Sequence, residues 1–286
     1  MSDARAWLDE HAPLRHADIG GAGRTWREAG PQTGADGGVP LVLLHGIGSN
    51  ADSWVGQFTA FASERRVVAW NAPGYGDATP LASEAPDARD YAGALLGLLD
   101  NLGIARCVLV GQSLGAIMVS AAARIAPGRI AALVLASPAT GYGVAFGAAL
   151  PETITRRIAD IRALGPRGMA DQRAMRLVTE AASPQVRALV PGAMAAVTLE
   201  GYEKAVRLLA CSDLPTLLDG VSLPGLVIWG GADVVTPPAG CQRIADAFAG
   251  AARHEVPGLG HAFATEAPDQ FNAAIRPVLA AADEGN

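Results

Sequence analysis

Short runs of Val, Leu and Ile recur along the chain between longer amphipathic stretches, and this alternation constrains the fold more than any other feature. The runs are RTWREA (24–29), PLVLLH (40–45), RVVAWN (66–71), RCVLVG (106–111), AALVLAS (131–137), GLVIWG (225–230) and ARHEVP (252–257). The central ones are apolar at nearly every position, so they read as strands covered on both faces, in a mainly parallel sheet layered between helices. Between them, 87–102 places Tyr91, Leu95, Leu98, Leu99 and Leu102 on one stripe at helical spacing. Helices are also expected over 114–126, 237–248 and about 267–282. The expected fold class is α/β.

One stretch breaks this rhythm. From about 144 to 220 no strand is evident, while PETITRRIADIRALG and PQVRALVPGAMAAVTLEGYEKAVRLLACS look helical. The expected organisation is therefore a core made of 1–143 and 221–286, with 144–220 inserted as a helical lid. The Gly-rich tract GPQTGADGG (30–38) reads as a surface loop.

With 286 residues, 50% hydrophobic and 17% charged, the chain can bury a large core as one domain with an insertion. The net charge of −6 argues against the basic stripe that nucleic acid or anionic lipid requires, which points to a small-molecule partner. Cys107, Cys211 and Cys241 are few, odd in number and widely spaced, so neither a disulfide framework nor a zinc or redox pair is expected. The first residues carry Asp3, Asp9 and Glu10 and lack an apolar signal region. Apolar runs elsewhere fall short of the roughly 20 residues that span a bilayer, so a cytoplasmic protein is expected.

The strongest chemical signal is GQSLG, in which Ser113 lies between Gly111 and Gly115 with a strand before it and a helix after. A strand that turns at once into a helix forces the serine into a strained conformation, and side chains at the flanking positions would clash. The turn exposes the hydroxyl and aims the free N–H groups of the helix N-terminus at a reacting carbonyl. Such a serine needs a general base, usually a histidine oriented by a carboxylate. His11 and His16 precede the first expected strand and His254 sits within a terminal one, so surface or edge roles are expected for them. His261, in the loop VPGLGHAF, is the expected base, and His45, at the start of HGIG, is expected to shape its own loop. Asp233 follows the GLVIWG strand and precedes a Pro-initiated helix; it is the expected acid, with Asp246 as competitor. The remaining need is a pair of backbone donors for an oxyanion, expected from the N–H groups of Leu114 and Ile47.

Together, HGIG, NAPGYGDA, GQSLG, GGAD and GLGH resemble the α/β-hydrolase superfamily from about residue 24 to 282. The resemblance implies an eight-stranded, mostly parallel sheet, a helical cap over the active site, and no metal or organic cofactor. Asn71 and Ala78 replace the Asp and Ser usual around P-G-x-G. Serine as nucleophile disfavours the relatives that use Asp there. Trp54 matches a Trp of the enzymes that cleave ring-fission products of aromatic catabolism, yet Ser49-Asn50 and Ala262 replace the Pro-Gly and Trp usual in them.

The lid carries Arg156, Arg157, Arg162, Arg167, Arg173 and Arg176 within 21 residues, against Asp160 and Asp171. On amphipathic helices such arginines are expected on the solvated face rather than on substrate. Met169, Met175 and Met194 read as core filler. The leading functional reading is a serine hydrolase of a small carboxylic ester or lactone. The alternatives are a carbon–carbon bond (meta-cleavage product) or enol-lactone hydrolase, and a non-catalytic small-ligand binding protein. The expected partner is an ester, lactone or diketone, with no nucleic acid or membrane and with room for a homodimer.

Overall fold

The computed structural model describes residues 2–32 and 38–285; residues 33–37 of the Gly-rich tract lie outside them. One sheet of eight strands runs in the order β1-β2-β4-β3-β5-β6-β7-β8. The strands are β1 (Leu14–Ile19), β2 (Ala22–Ala29), β3 (Gly38–Leu44), β4 (Arg65–Asn71), β5 (Cys107–Gln112), β6 (Ile130–Ala136), β7 (Gly225–Gly230) and β8 (Ala252–Val256). β2 pairs antiparallel with β1 and β4, and all other pairings are parallel. The helices are α1 (Ser2–His11), α2 (Val55–Phe61), α3 (Ala88–Asn101), α4 (Leu114–Ile125), α5 (Glu152–Arg173), α6 (Pro184–Ala195), α7 (Leu199–Cys211), α8 (Leu214–Leu218), α9 (Pro238–Ala247), α10 (Phe263–Glu266) and α11 (Pro268–Glu284).

The strand period of two explains why the central runs are apolar throughout. Val42 and Leu44 of β3 join a core with Leu95 and Leu98 of α3 and Ile117 of α4. Leu41 and Leu43 point the other way, into a second core with Phe58 and Phe61 of α2 and Phe271 and Ile275 of α11. Each such side chain contributes about 1.5–3 kcal/mol by leaving water, which is why both faces of the sheet are covered. Helix α3 starts at a capping box, Asp87 accepting from Arg89 and Asp90 N–H while the Asp90 carboxylate accepts from Asp87 N–H.

Every strand read from the sequence is present. β1 is an addition: its residues LRHADI are half polar and none is fully buried, as suits an edge strand. His16 therefore lies within a strand, opposite Thr25, rather than ahead of the first one.

Between β6 and β7 the described residues form no strand; α5 to α8 fill the interval. Helix α5 breaks at Gly165, whose φ of 67° is left-handed, directly before Pro166. This helical stretch is tied to the loop after β4 by the bridge of Tyr75 with Val197 and by Thr198 Oγ1 donating to Gly74 O at 2.5 Å. Among the described residues no helix is long and apolar enough to cross a membrane.

Candidate active site

Ser113, Asp233, His261 and Ile47 follow β5, β7, β8 and β3, so the parallel sheet delivers all four to its carboxyl edge. Ser113 adopts φ 53° and ψ −113°, a conformation that β-carbon-bearing residues rarely take. The surroundings hold it there: Ser113 N–H donates to Ala136 O at 2.9 Å, and its carbonyl accepts from Ala116 and Ala139 N–H, both at 3.1 Å. A β-carbon at Gly111 would collide with the Gly115 carbonyl, and one at Gly115 with the Leu44 carbonyl. The two flanking glycines thus allow α4 to turn back onto β5 and β3.

The Asp233 carboxylate is wholly buried and accepts four hydrogen bonds. Oδ1 takes the Val235 and Thr236 N–H groups at 2.7 and 2.9 Å, and Oδ2 takes Thr236 Oγ1 and His261 Nδ1, both at 2.8 Å. Burial pushes its pKa up, but the hydrogen bonds from His261 and Thr236 outweigh that, leaving it below the usual carboxylate value. An ionised Asp233 draws the His261 proton to Nδ1 and leaves Nε2 as the basic nitrogen. The His261 loop is held from three sides. Gln112 Nε2 donates to His261 O at 3.1 Å, Ala262 N–H to Leu177 O at 2.7 Å, and Gly260 N–H to Glu266 Oε2 at 3.1 Å.

Asp246, the competing acid, instead pairs with Arg253 on the surface at 2.8 Å. His45 is enclosed. Its Nε2 accepts the Ala72 N–H at 3.0 Å, so Nδ1 carries the proton and donates to Gly46 O at 2.8 Å. Burial depresses its pKa to about 4, and the imidazole acts as a neutral brace joining two loops. Asn71, at the position where the family usually carries Asp, accepts from Ala51 N–H and donates to Thr25 Oγ1.

Ser113 and His261 line one cavity of about 550 Å³, together with Ile47 and Leu114. No hydrogen bond joins Ser113 Oγ to His261 among the described residues; catalytic contacts of this kind tighten when substrate seats. Leu114 opens α4, so its N–H has no intrahelical acceptor, and the Ile47 N–H donates to no protein group among the described residues. Leu177, Val190, Met194 and Leu209 supply apolar walls. Among the described residues no cluster of three His, Cys, Asp or Glu is placed to hold a metal ion.

Thr236 and Glu266 escaped the sequence reading. The D-x-x-T spacing of Asp233 and Thr236 is an Asx-turn signature that was available; Glu266 carries no such signature, because its bond to Gly260 six residues earlier fits no standard local motif and its other partner, Thr179, is 87 positions away. The six arginines divide. Arg157, Arg173 and Arg176 line the cavity, whereas Arg156, Arg162 and Arg167 do not, and Arg162 pairs with Glu203. Met194 also lines it, while Met169 is core and Met175 is exposed. Trp54 is buried against Phe271 and does not reach the cavity.

A family model for the alpha/beta hydrolase family matches residues 41–274. The chain is 32% identical over 265 residues to the dihydrolipoyllysine-residue acetyltransferase component of the acetoin cleaving system of Pseudomonas putida, covering 90% of this chain and 66% of that relative, just under two thirds of its length. It is 30% identical over 254 residues to the pimeloyl-[acyl-carrier protein] methyl ester esterase of Aeromonas hydrophila, covering 82% and 92%. Among solved structures, the enol-lactonase from Burkholderia xenovorans LB400 superposes with a TM-score of 0.83 at 26% identity, covering 93% of this chain and all of that one.

Proposed function

The chain belongs to the alpha/beta hydrolase family, and on that premise we propose that it hydrolyses a small carboxylic ester or lactone through an acyl-enzyme on Ser113. Ser113 Oγ attacks the carbonyl carbon as His261 Nε2 takes its proton. The carbon–oxygen bond to the leaving alcohol breaks, and the imidazolium returns the proton to that oxygen. Water, deprotonated by the same nitrogen, then attacks the acyl carbon; the bond to Ser113 Oγ breaks, the imidazolium returns the proton to that oxygen, and the acid leaves. Asp233 keeps the imidazole in the Nδ1–H tautomer and stabilises its charge. The N–H groups of Leu114 and Ile47 receive the oxyanion, each worth roughly 3 to 4 kcal/mol by analogy with protease variants. The helices of 144–220 act as the cap that closes over this chemistry, which needs no metal or organic cofactor.

The single observation that carries this reading is the 2.8 Å bond between buried Asp233 and His261, set on the same cavity as a strained Ser113. The methyl ester esterase and the enol-lactonase among the similar proteins support an ester or lactone substrate, while ring-fission product hydrolases that match over less than half of the chain keep carbon–carbon cleavage as the second reading. Ser49-Asn50 and Ala262 point toward the ester or lactone, standing where carbon–carbon hydrolases of this fold usually carry Pro-Gly and Trp. The test is turnover of p-nitrophenyl esters of graded chain length beside an enol-lactone and a ring-fission diketone. Short esters or the lactone should be hydrolysed, and diketone cleavage without ester turnover would reverse the assignment.

A further inference from the structure

Four arginines line the cavity, and no Asp or Glu among the described residues does. Arg157 and Arg173 come from α5, Arg176 from the turn beyond it and Arg243 from α9. The chain as a whole carries a charge of −6, so these cations are gathered at the site against the overall sign. Only Arg173 is neutralised, its Nη2 lying 2.6 Å from Asp160 Oδ2. Arg157 is half-buried and leans on a neutral group: its Nε donates to the Tyr202 hydroxyl at 2.8 Å, with the guanidinium carbon 5.6 Å from that ring's centroid. This fixes one edge of the fork and leaves its outer N–H groups without a protein acceptor among the described residues. Neither Arg176 nor Arg243 forms an ion pair among the described residues; Arg243 makes only a 3.4 Å contact with Ala239 O.

Uncompensated guanidinium groups facing one space repel each other, and an anion between them removes that cost. Guanidinium forks match carboxylates in shape as well as in charge. We propose that the substrate of this site is anionic, an ester or lactone bearing a carboxylate remote from the carbonyl that Ser113 attacks, and that Arg157, Arg176 and Arg243 receive that carboxylate. This rests on the hydrolase reading above. The apolar walls at Leu177, Val190, Met194 and Leu209 suit a hydrocarbon spacer between the two polar ends.

The carboxylate can sit on the acyl or on the alcohol portion, and paired substrates separate the two. One arm compares mono-p-nitrophenyl esters of succinic to suberic acid, each as free acid and as methyl ester, corrected for spontaneous hydrolysis. The other compares 4-acetoxybenzoate with its methyl ester. In at least one arm, kcat/KM for the free acid should exceed that for the methyl ester by roughly ten- to hundredfold, the worth of a charge-assisted hydrogen bond. That ratio should shrink toward one in Arg157→Gln or in Arg176→Gln/Arg243→Gln, each ratio being measured within one protein so that a general loss of folding cancels. In the unaltered protein, raising salt from about 20 mM to about 0.5 M should lower kcat/KM for the acid and not for the methyl ester. Preference for the methyl ester in both arms, or a ratio that survives all three arginine substitutions, would overturn the anionic site while leaving the hydrolase intact. Hydrolysis of neither series would defeat both proposals together.

Discussion

His45 and His261 are both buried at the same sheet edge, and their partners give them opposite jobs. The ring of His45 is locked by an N–H donor on one nitrogen and a carbonyl acceptor on the other, so protonation destroys a bond and burial lowers its pKa to about 4 from 6.5. The unfolded chain therefore binds a proton below 6.5 that the folded chain refuses until about 4. Stability is full above this window, falls as pH drops through it, and loses roughly 3 kcal/mol from this one group. Urea denaturation should show that slope between pH 6.5 and about 5, ahead of most carboxylate titration, and His45→Gln should flatten it. Asp233 works in the other direction, holding a proton on His261 Nδ1 by a charge that four donors stabilise. Asp233→Asn preserves the shape and reverses the tautomer, so kcat should fall by roughly 10³ to 10⁴ with the melting temperature little changed. Near-normal turnover would remove Asp233 from the mechanism, and surface Asp246, held by Arg253, is poorly placed to take over.

At the scale of elements, the site depends on how α5 to α7 are fastened to the sheet edge. The Glu266 carboxylate, from the four-residue α10, accepts Gly260 N–H on one oxygen and both Thr179 N–H and Thr179 Oγ1 on the other. Ala262 N–H donates across to Leu177 O. The histidine loop and the proposed cap thus share one carboxylate. Glu266→Ala would orphan two backbone donors, so it should cost about 1–3 kcal/mol and speed hydrogen exchange at the Gly260 and Ala262 amides. Unchanged exchange there would mean that the loop holds its place without this link. Such a junction could not be read from the sequence, because the residues it joins are roughly eighty positions apart and no local pattern relates them. Elements set by local pattern were legible: the apolar runs of β3 to β7, the Tyr91–Leu95–Leu98 stripe of α3, and the glycines around Ser113. Strand β1 was not, since Arg15, His16 and Asp18 give an edge strand the composition of a loop.

At the scale of the molecule, the catalytic reading depends on a topological consequence. Parallel strands deliver every following loop to one edge, so residues 113, 233 and 261 converge although long stretches separate them. The sequence order of serine, acid and histidine and the strand ends were visible from the start. The division of the arginines was not, because whether a helical side chain meets solvent or cavity depends on how α5 rotates against the sheet. The most direct measurement is intact-mass and peptide mapping of the protein after exposure to a fluorophosphonate. A single adduct on Ser113, lost in Ser113→Ala and strongly slowed in His261→Ala, is the expected result. A folded protein that takes up no label, or takes it at another residue, would contradict the nucleophile assignment and the mechanism built on it.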